Sequence, residues 1–121
     1  MFKVIVAGSR NFADYRLLEH KCDWFLADKK SDGIEIVSGT AIGADTLGIR
    51  YAEKHGYAVR RFPADWETYG KGAGHRRNAQ MAEYADALIA FWNGKSRGTK
   101  NMIETMRLMK KPVRVVLSAS K

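Results

Sequence analysis

Five short apolar runs, separated by longer stretches of helical periodicity, constrain this chain more than any other feature of its sequence. The runs are Lys3–Ala7, Glu35–Ser38, Ala58–Phe62, Ala87–Trp92 and Val113–Leu117. Strands that alternate with helices pair in parallel, because each helix carries the chain back across the sheet before the next strand begins. The pattern predicts an α/β domain with a five-stranded, mainly parallel sheet and about four helices. A chain of 121 residues is long enough for one such domain and too short for two, so residues 1–121 are read as a single unit.

In the first helical stretch Tyr15, Leu18, Cys22, Phe25 and Leu26 recur at helical spacing and form one apolar stripe, with the helix ending near Asp32-Gly33. The second is expected from Ala44-Asp45 to His55-Gly56, carrying Leu47, Ile49, Tyr51 and Ala52, with Gly56 supplying the left-handed residue that ends helices. A third runs from about His75 to Tyr84. The fourth begins near Thr99, turns Met102, Ile103, Met106 and Met109 inward, and stops before Pro112, which cannot continue the helix.

Charge and cysteine usage narrow the setting. Lys and Arg number 21 against 13 Asp and Glu, a net charge of +8 that favours phosphorylated or polyanionic partners without naming one. The single cysteine, Cys22, cannot form an internal bridge and fits a reducing cytoplasm. The run Phe2–Ala7 is too short for a signal peptide and no apolar stretch reaches bilayer length, so a cytoplasmic protein without membrane contact is expected. His20, His55 and His75 are dispersed, which predicts no metal site, and Cys22 on its apolar stripe is no candidate nucleophile.

Right-handed crossovers bring every strand-to-helix loop to one edge of the sheet, the edge where open α/β folds bind ligands. Those loops read Gly8-Ser9-Arg10-Asn11, Ser38–Asp45, Pro63-Ala64-Asp65-Trp66 and Asn93–Thr99. Three of them set glycine with Ser or Thr just ahead of a helix, where backbone amides, hydroxyls and the helix dipole can meet an anion. No Gly-x-Gly-x-x-Gly follows the first strand, and Gly94-Lys95-Ser96 lacks the earlier glycine of a P-loop, which argues against a dehydrogenase or P-loop kinase. Lys95 reads as a polar loop residue, with Ser96, Gly98 and Thr99 nearer to any anion.

Asp45 either complements the helix dipole or hydrogen-bonds ribose hydroxyls. Trp66 beside Asp65 either stacks on a base or covers the sheet edge, whereas Trp92 reads as core. Arg76 and Arg77 follow the glycine turn Lys71–Gly74 at a helix start, where the dipole disfavours cations. They meet a bound anion there, or else form surface ion pairs or a subunit contact.

Taken in order, Gly8-Ser9-Arg10, Ser38-Gly39-x-Ala41-x-Gly43-Ala44-Asp45, Pro63-Ala64-Asp65-Trp66, Gly74-x-x-Arg77-Asn78-x-x-Met81 and Ser96-x-Gly98-Thr99 resemble the YspA/cpYpsA-related branch of the SLOG superfamily. The resemblance covers nearly the whole chain. It implies a Rossmann-like three-layer domain that binds nucleotides or nucleotide-derived ligands, often self-associates into homo-oligomers, and in some relatives senses nucleotide signals in conflict and phage-defence systems. No further cofactor is expected. On this reading Gly8, Ser9, Arg10, Ser38, Gly39, Gly43, Ala44, Asp45, Ser96, Gly98 and Thr99 hold phosphate, with Arg10 and Arg77 complementing its charge. Asp65, Trp66 and Asn78 meet base or ribose.

The superfamily also includes the LOG phosphoribohydrolases and the DNA-processing protein DprA. LOG enzymes carry Pro-Gly-Gly-x-Gly-Thr-x-x-Glu, but here Gly98-Thr99 is followed by Glu104 two positions late, about 200° round the helix. Asp65 or Asp45 would then have to supply a catalytic carboxylate. The expected function is binding or sensing of a nucleotide-type ligand. Hydrolysis of the N-glycosidic bond of nucleoside 5′-monophosphates is the first alternative, and DprA-like single-stranded DNA binding the second.

Overall fold

Strand β1 (Phe2–Gly8) lies at the centre of the sheet because its residues are apolar on both faces, Val4 to Ala7 all being buried. The computed structural model describes residues 1–118. Beside β1 run β2 (Ile34–Ser38) and β4 (Ala87–Trp92), with β3 (Ala58–Arg61) and β5 (Val113–Leu117) at the edges, giving the order β3-β2-β1-β4-β5. All four pairings are parallel, so the sheet expected to be mainly parallel is wholly so. In register, Val4 stands opposite Ile36 on one side and Ala87 on the other.

Alternation along β1 divides the core. Val4 and Val6 face α1 (Tyr15–Phe25) and α2 (Ala44–His55), packing with Leu18, Cys22 and Tyr51. Ile5 and Ala7 face the other layer, where α4 (Ala73–Tyr84) and α5 (Arg97–Leu108) contribute Met81, Met102, Ile103 and Met106. A single turn, α3 (Trp66–Tyr69), precedes α4. The order therefore reverses between β1 and β4, with the first two helices on one face and the last two on the other.

Polar contacts pin the layers. Tyr51 is fully buried and its hydroxyl donates to Asp23 Oδ1 at 2.7 Å, joining α2 to α1. Glu19 accepts from Lys54 Nζ and His55 Nε2, each at 2.8 Å, and these bonds pull its carboxyl down to about 2. On the opposite face Lys111 Nζ donates to the carbonyls of Ala82, Glu83 and Ala85 at 2.7, 3.1 and 2.8 Å, satisfying the end of α4. Burial raises the Cys22 thiol pKa far above its ordinary value.

Several boundaries differ from the sequence expectation. The first helix ends at Phe25, and a separate 3₁₀ turn, Lys30–Asp32, reaches Gly33, whose φ of 78° turns the chain into β2. The fourth stretch starts at Arg97, two residues before Thr99, because Ser96 caps it by accepting the Thr99 N–H. Met109 is not inward. It follows the last helical residue and is 38% exposed, since the chain turns at Lys110 (φ 59°) toward β5 before the apolar stripe can continue. The turn α3 had no counterpart in the periodicity. It exists because Asp65 Oδ1 accepts the Thr68 N–H at 3.1 Å.

Candidate functional site

The loops leaving β1, β2 and β4 are stitched together by the small polar residues that the sequence singled out. Ser9 is buried, and its Oγ accepts the Asn93 N–H at 3.0 Å, tying the β1 loop to the β4 loop. Its carbonyl accepts from Phe12 at 3.1 Å and from Ala44 at 3.4 Å, which joins it to the start of α2. Ser38 Oγ donates to the Asp45 carbonyl and accepts the Thr40 N–H, both at 3.1 Å. Gly43 has φ 89°, and a Cβ there would collide with the main-chain oxygens of Ser9 and Arg10. Only glycine lets α2 begin this close to the β1 loop.

This stitching opens a cavity of about 350 Å³ at the strand ends, over the reversal between β1 and β4. Of the residues expected to bind ligand, Gly8, Arg10, Asp45, Trp66, Arg77, Asn78, Gly98 and Thr99 line it. Ser9, Ser38, Gly39, Gly43, Ala44, Asp65 and Ser96 do not; apart from Asp65, they shape the loops behind the lining. The carboxylate of Asp65 caps α3, and its bonds to Thr68 hold its pKa below the ordinary value. Ser96 Oγ accepts from the Thr99 N–H at 3.4 Å and hydroxyl at 3.1 Å, so both hydroxyls are engaged within α5's first turn. Trp92 is half-buried, packed against the core, with its Nε1 donating to the Ser96 carbonyl at 3.0 Å.

Asp45 is the buried charge of the site. Its Oδ2 accepts the Ala41 N–H at 3.2 Å, and the Gly8 amide also favours the ionised form. Burial pushes its carboxyl up to about 6, against the pull of Arg77, the Ala41 and Gly8 amides and Arg10. Arg77 is desolvated in turn, which lowers its pKa, while Asp45 raises it and Arg10 lowers it further. Its Nη1 donates to the carbonyls of Gly39 and Phe62, and its Nε to Asn78 Oδ1 at 3.1 Å. Asn78 completes the chain by donating to the Gly98 carbonyl at 3.2 Å and to Asn101 Oδ1 at 3.0 Å, clasping α4 to α5.

The cavity also has walls outside the residues expected to bind ligand. Ala7, Met81 and Met102 form apolar lining, and Ala41, Lys71, Gly74 and His75 complete it. The apolar three carry the same signature as core residues, so nothing in a single sequence separates them. Met102 occupies the place two residues before Glu104 where the LOG pattern sets its glutamate; Glu104 itself is exposed and does not line the cavity. Among the described residues the carboxylate–cation pairs within 4.0 Å are those of Glu19 with Lys54 and His55. Arg10, Lys71, His75 and Arg77 therefore have no carboxylate at that distance. Helix α4, which carries His75 and Arg77, begins with no side-chain cap and no acid in its first turn. No three potential metal ligands converge among the described residues.

A wholly parallel sheet with helices on both faces and a strand-end cavity where the strand order reverses defines a Rossmann-like α/β domain. Comparison with known proteins carries this to a family: residues 2–69 match the model of the YspA, cpYpsA-related SLOG family, and the chain belongs to it. The Gene 61 protein of Mycobacterium phage D29 is 36% identical over 111 residues, covering 84% of this chain and 85% of that protein. DNA processing protein A (DprA) from Streptococcus pneumoniae superposes with a TM-score of 0.73 at 18% identity, over 98% of this chain and 51% of that one. Helicobacter pylori DprA, solved for its single-stranded DNA binding mode, gives 0.66 at 19% identity, over 99% of this chain and 68% of that one. At these identities the two structures attest the shared fold. No helix among the described residues is long and apolar enough to cross a membrane.

Proposed function

We propose that the strand-end cavity binds a nucleotide-type ligand and that the protein acts as a binding or sensing module. The observation that carries this reading is a cavity of about 350 Å³ at the sheet's reversal point in which Arg10, Lys71 and Arg77 have no carboxylate within 4.0 Å among the described residues. Arg10, exposed and without a carboxylate within 4.0 Å among the described residues, suits phosphate, because guanidinium groups meet phosphate oxygens with paired donors, and Arg77 adds its positive charge behind it. Buried Asp45 offers an acceptor for ribose hydroxyls, and the exposed indole of Trp66 offers a stacking face. Met102 in the place of the LOG glutamate supports binding without cleavage.

Hydrolysis of an N-glycosidic bond is the second reading, and Asp45 is the observation that favours it. A carboxyl raised to about 6 inside a ligand cavity is matched to general acid–base work near neutral pH. Both readings are tested together. The protein is incubated with nucleoside mono- and diphosphates, NAD and ADP-ribose, and the retained and free fractions are compared by mass spectrometry. An intact nucleotide in the retained fraction supports the binding module; free base and ribose phosphate accumulating with time make the protein a hydrolase. Retention of none of these compounds refutes both.

A further inference from the structure

Arg77 is held by its neighbours along one edge of the guanidinium and left free along the other. Its Nε donates to Asn78 Oδ1 at 3.1 Å, and its Nη1 donates to the carbonyls of Gly39 and Phe62. The two N–H groups on Nη2 have no acceptor among the described residues. No fully buried side-chain nitrogen or oxygen among those residues lacks a partner, so Nη2 is open, and the open space that Arg77 lines is the cavity. Asp45 stands beside it. A Cβ at Gly39 would come within 2.5 Å of Arg77 Nη1 and 2.8 Å of Asp45 Oδ2, so both groups close over the bare Cα of that glycine, yet no Arg77 nitrogen lies within 4.0 Å of the carboxylate. The two are too far apart for a direct ion pair and near enough for one group to bridge them, because hydrogen bonds to both sides of an oxygen span about 5–6 Å. Asp45 Oδ2 takes the Ala41 N–H at 3.2 Å and no described side chain bonds Oδ1, which leaves acceptor positions for a ligand.

A group that bridges this pair must donate to the carboxylate and accept from the guanidinium at once. An ionised phosphate only accepts and meets the charge of Asp45, and an amino group only donates, whereas a hydroxyl does both. Arg77 also offers one free nitrogen rather than the paired edge that forks onto phosphate. We propose that Asp45 and Arg77 clasp the 2′,3′ cis-diol of a ribose, so that the cavity selects ribonucleotides over deoxyribonucleotides and leaves phosphate to the exposed Arg10. This rests on the nucleotide-binding reading above and adds the identity of the sugar to it. Taking one hydroxyl away strands a buried polar group, which is how a site built to bond a hydroxyl rejects the analogue without it. The same diol occurs on free ribonucleotides and on the 3′-terminal residue of an RNA strand.

Calorimetric titration of the full chain at fixed ionic strength tests the clasp. The probes are the 5′-mono- and 5′-diphosphates of the four common ribonucleosides, their 2′-deoxy and arabino counterparts, and the ribodinucleotides. The ribonucleotides are expected to bind at least tenfold more tightly than the 2′-deoxy forms. The arabino forms keep both hydroxyls but turn the 2′ group to the other face of the ring, and they are expected to bind as weakly as the deoxy forms. In Asp45→Asn, which keeps the shape of the side chain and removes its charge, the ribo-to-deoxy ratio is expected to fall to about threefold or less, with a melting temperature no lower than the parent's verifying the fold. Tighter binding of a ribodinucleotide than of any mononucleotide assigns the diol to a strand end, and weaker binding assigns it to a free nucleotide. Deoxy or arabino forms that bind as tightly as the ribonucleotides, or a ratio that survives in Asp45→Asn, overturn the clasp and leave nucleotide binding standing. Failure of every probe to bind overturns both.

Discussion

Replacing Asp45 with Asn tests the electrostatics of the site through folding stability. The native carboxyl is raised from 3.8 to about 6, chiefly by burial, so it keeps its proton where the unfolded chain has released it. Between those values the native state binds more protons than the unfolded state, and stability falls as pH rises. A shift of about two units at about 1.4 kcal/mol each makes the ionised carboxylate cost about 3 kcal/mol at pH 7, a cost absent below about pH 4. Asp45→Asn carries no charge at any pH. Its stability relative to the parent is therefore expected to climb by about 3 kcal/mol between pH 4 and 7 and to level off on either side. Glu19, lowered to about 2, adds an opposite trend at more acid pH, but it is common to both proteins and cancels in the difference. Urea unfolding followed by tryptophan fluorescence from pH 3.5 to 7.5 reads the effect directly. A difference that stays flat across the window would show that Arg77 and the neighbouring backbone amides fully offset the burial of the carboxylate.

Gly43→Ala is expected to destabilise the fold by about 1–3 kcal/mol or more, since φ 89° is strained for alanine and the new Cβ meets the Arg10 oxygen at 2.5 Å; denaturant midpoints measure it. Arg10→Ala removes an exposed side chain, so its melting temperature should stay within about a degree of the parent while nucleotide affinity drops about tenfold or more; equal affinity would remove Arg10 from the site. Cys22 is fully buried with its thiol pKa raised, so a thiol reagent should leave the native protein unlabelled and react once it is unfolded in urea. Rapid labelling of the native state would place the α1–sheet contact in doubt.

The sheet was legible because its strands are short, apolar and separated by helical periodicity, so all five were placed within one or two residues. What escaped was decided by single contacts. Turn α3 depends on the Asp65 cap and spans one turn, too short to show a period. Met109 has the right spacing from Met102 and Met106, but the backbone leaves the helix just before it. In the site, glycine and hydroxyl residues marked the right loops and yet divided by role: Ser9 spends its hydroxyl on the β4 loop, Ser38 within its own loop and Ser96 within the first turn of α5, while Arg10, Asp45 and Arg77 line the cavity. Spacing reports which loop a residue belongs to. It does not report whether the side chain turns toward the cavity or toward the next loop.

The cavity draws its lining from Ala7 at one end of the sequence to Met102 near the other, so the walls exist together only when the whole domain has closed. Occupancy of such a site is thermodynamically linked to global unfolding, because a ligand that binds only the closed domain stabilises every part of it. At a concentration 100-fold above its dissociation constant a ligand adds about 2.7 kcal/mol, which for a domain of this size raises the melting temperature by roughly ten degrees. Thermal denaturation thus becomes a label-free reporter of the physiological ligand, able to rank crude nucleotide mixtures before any chemical assay exists.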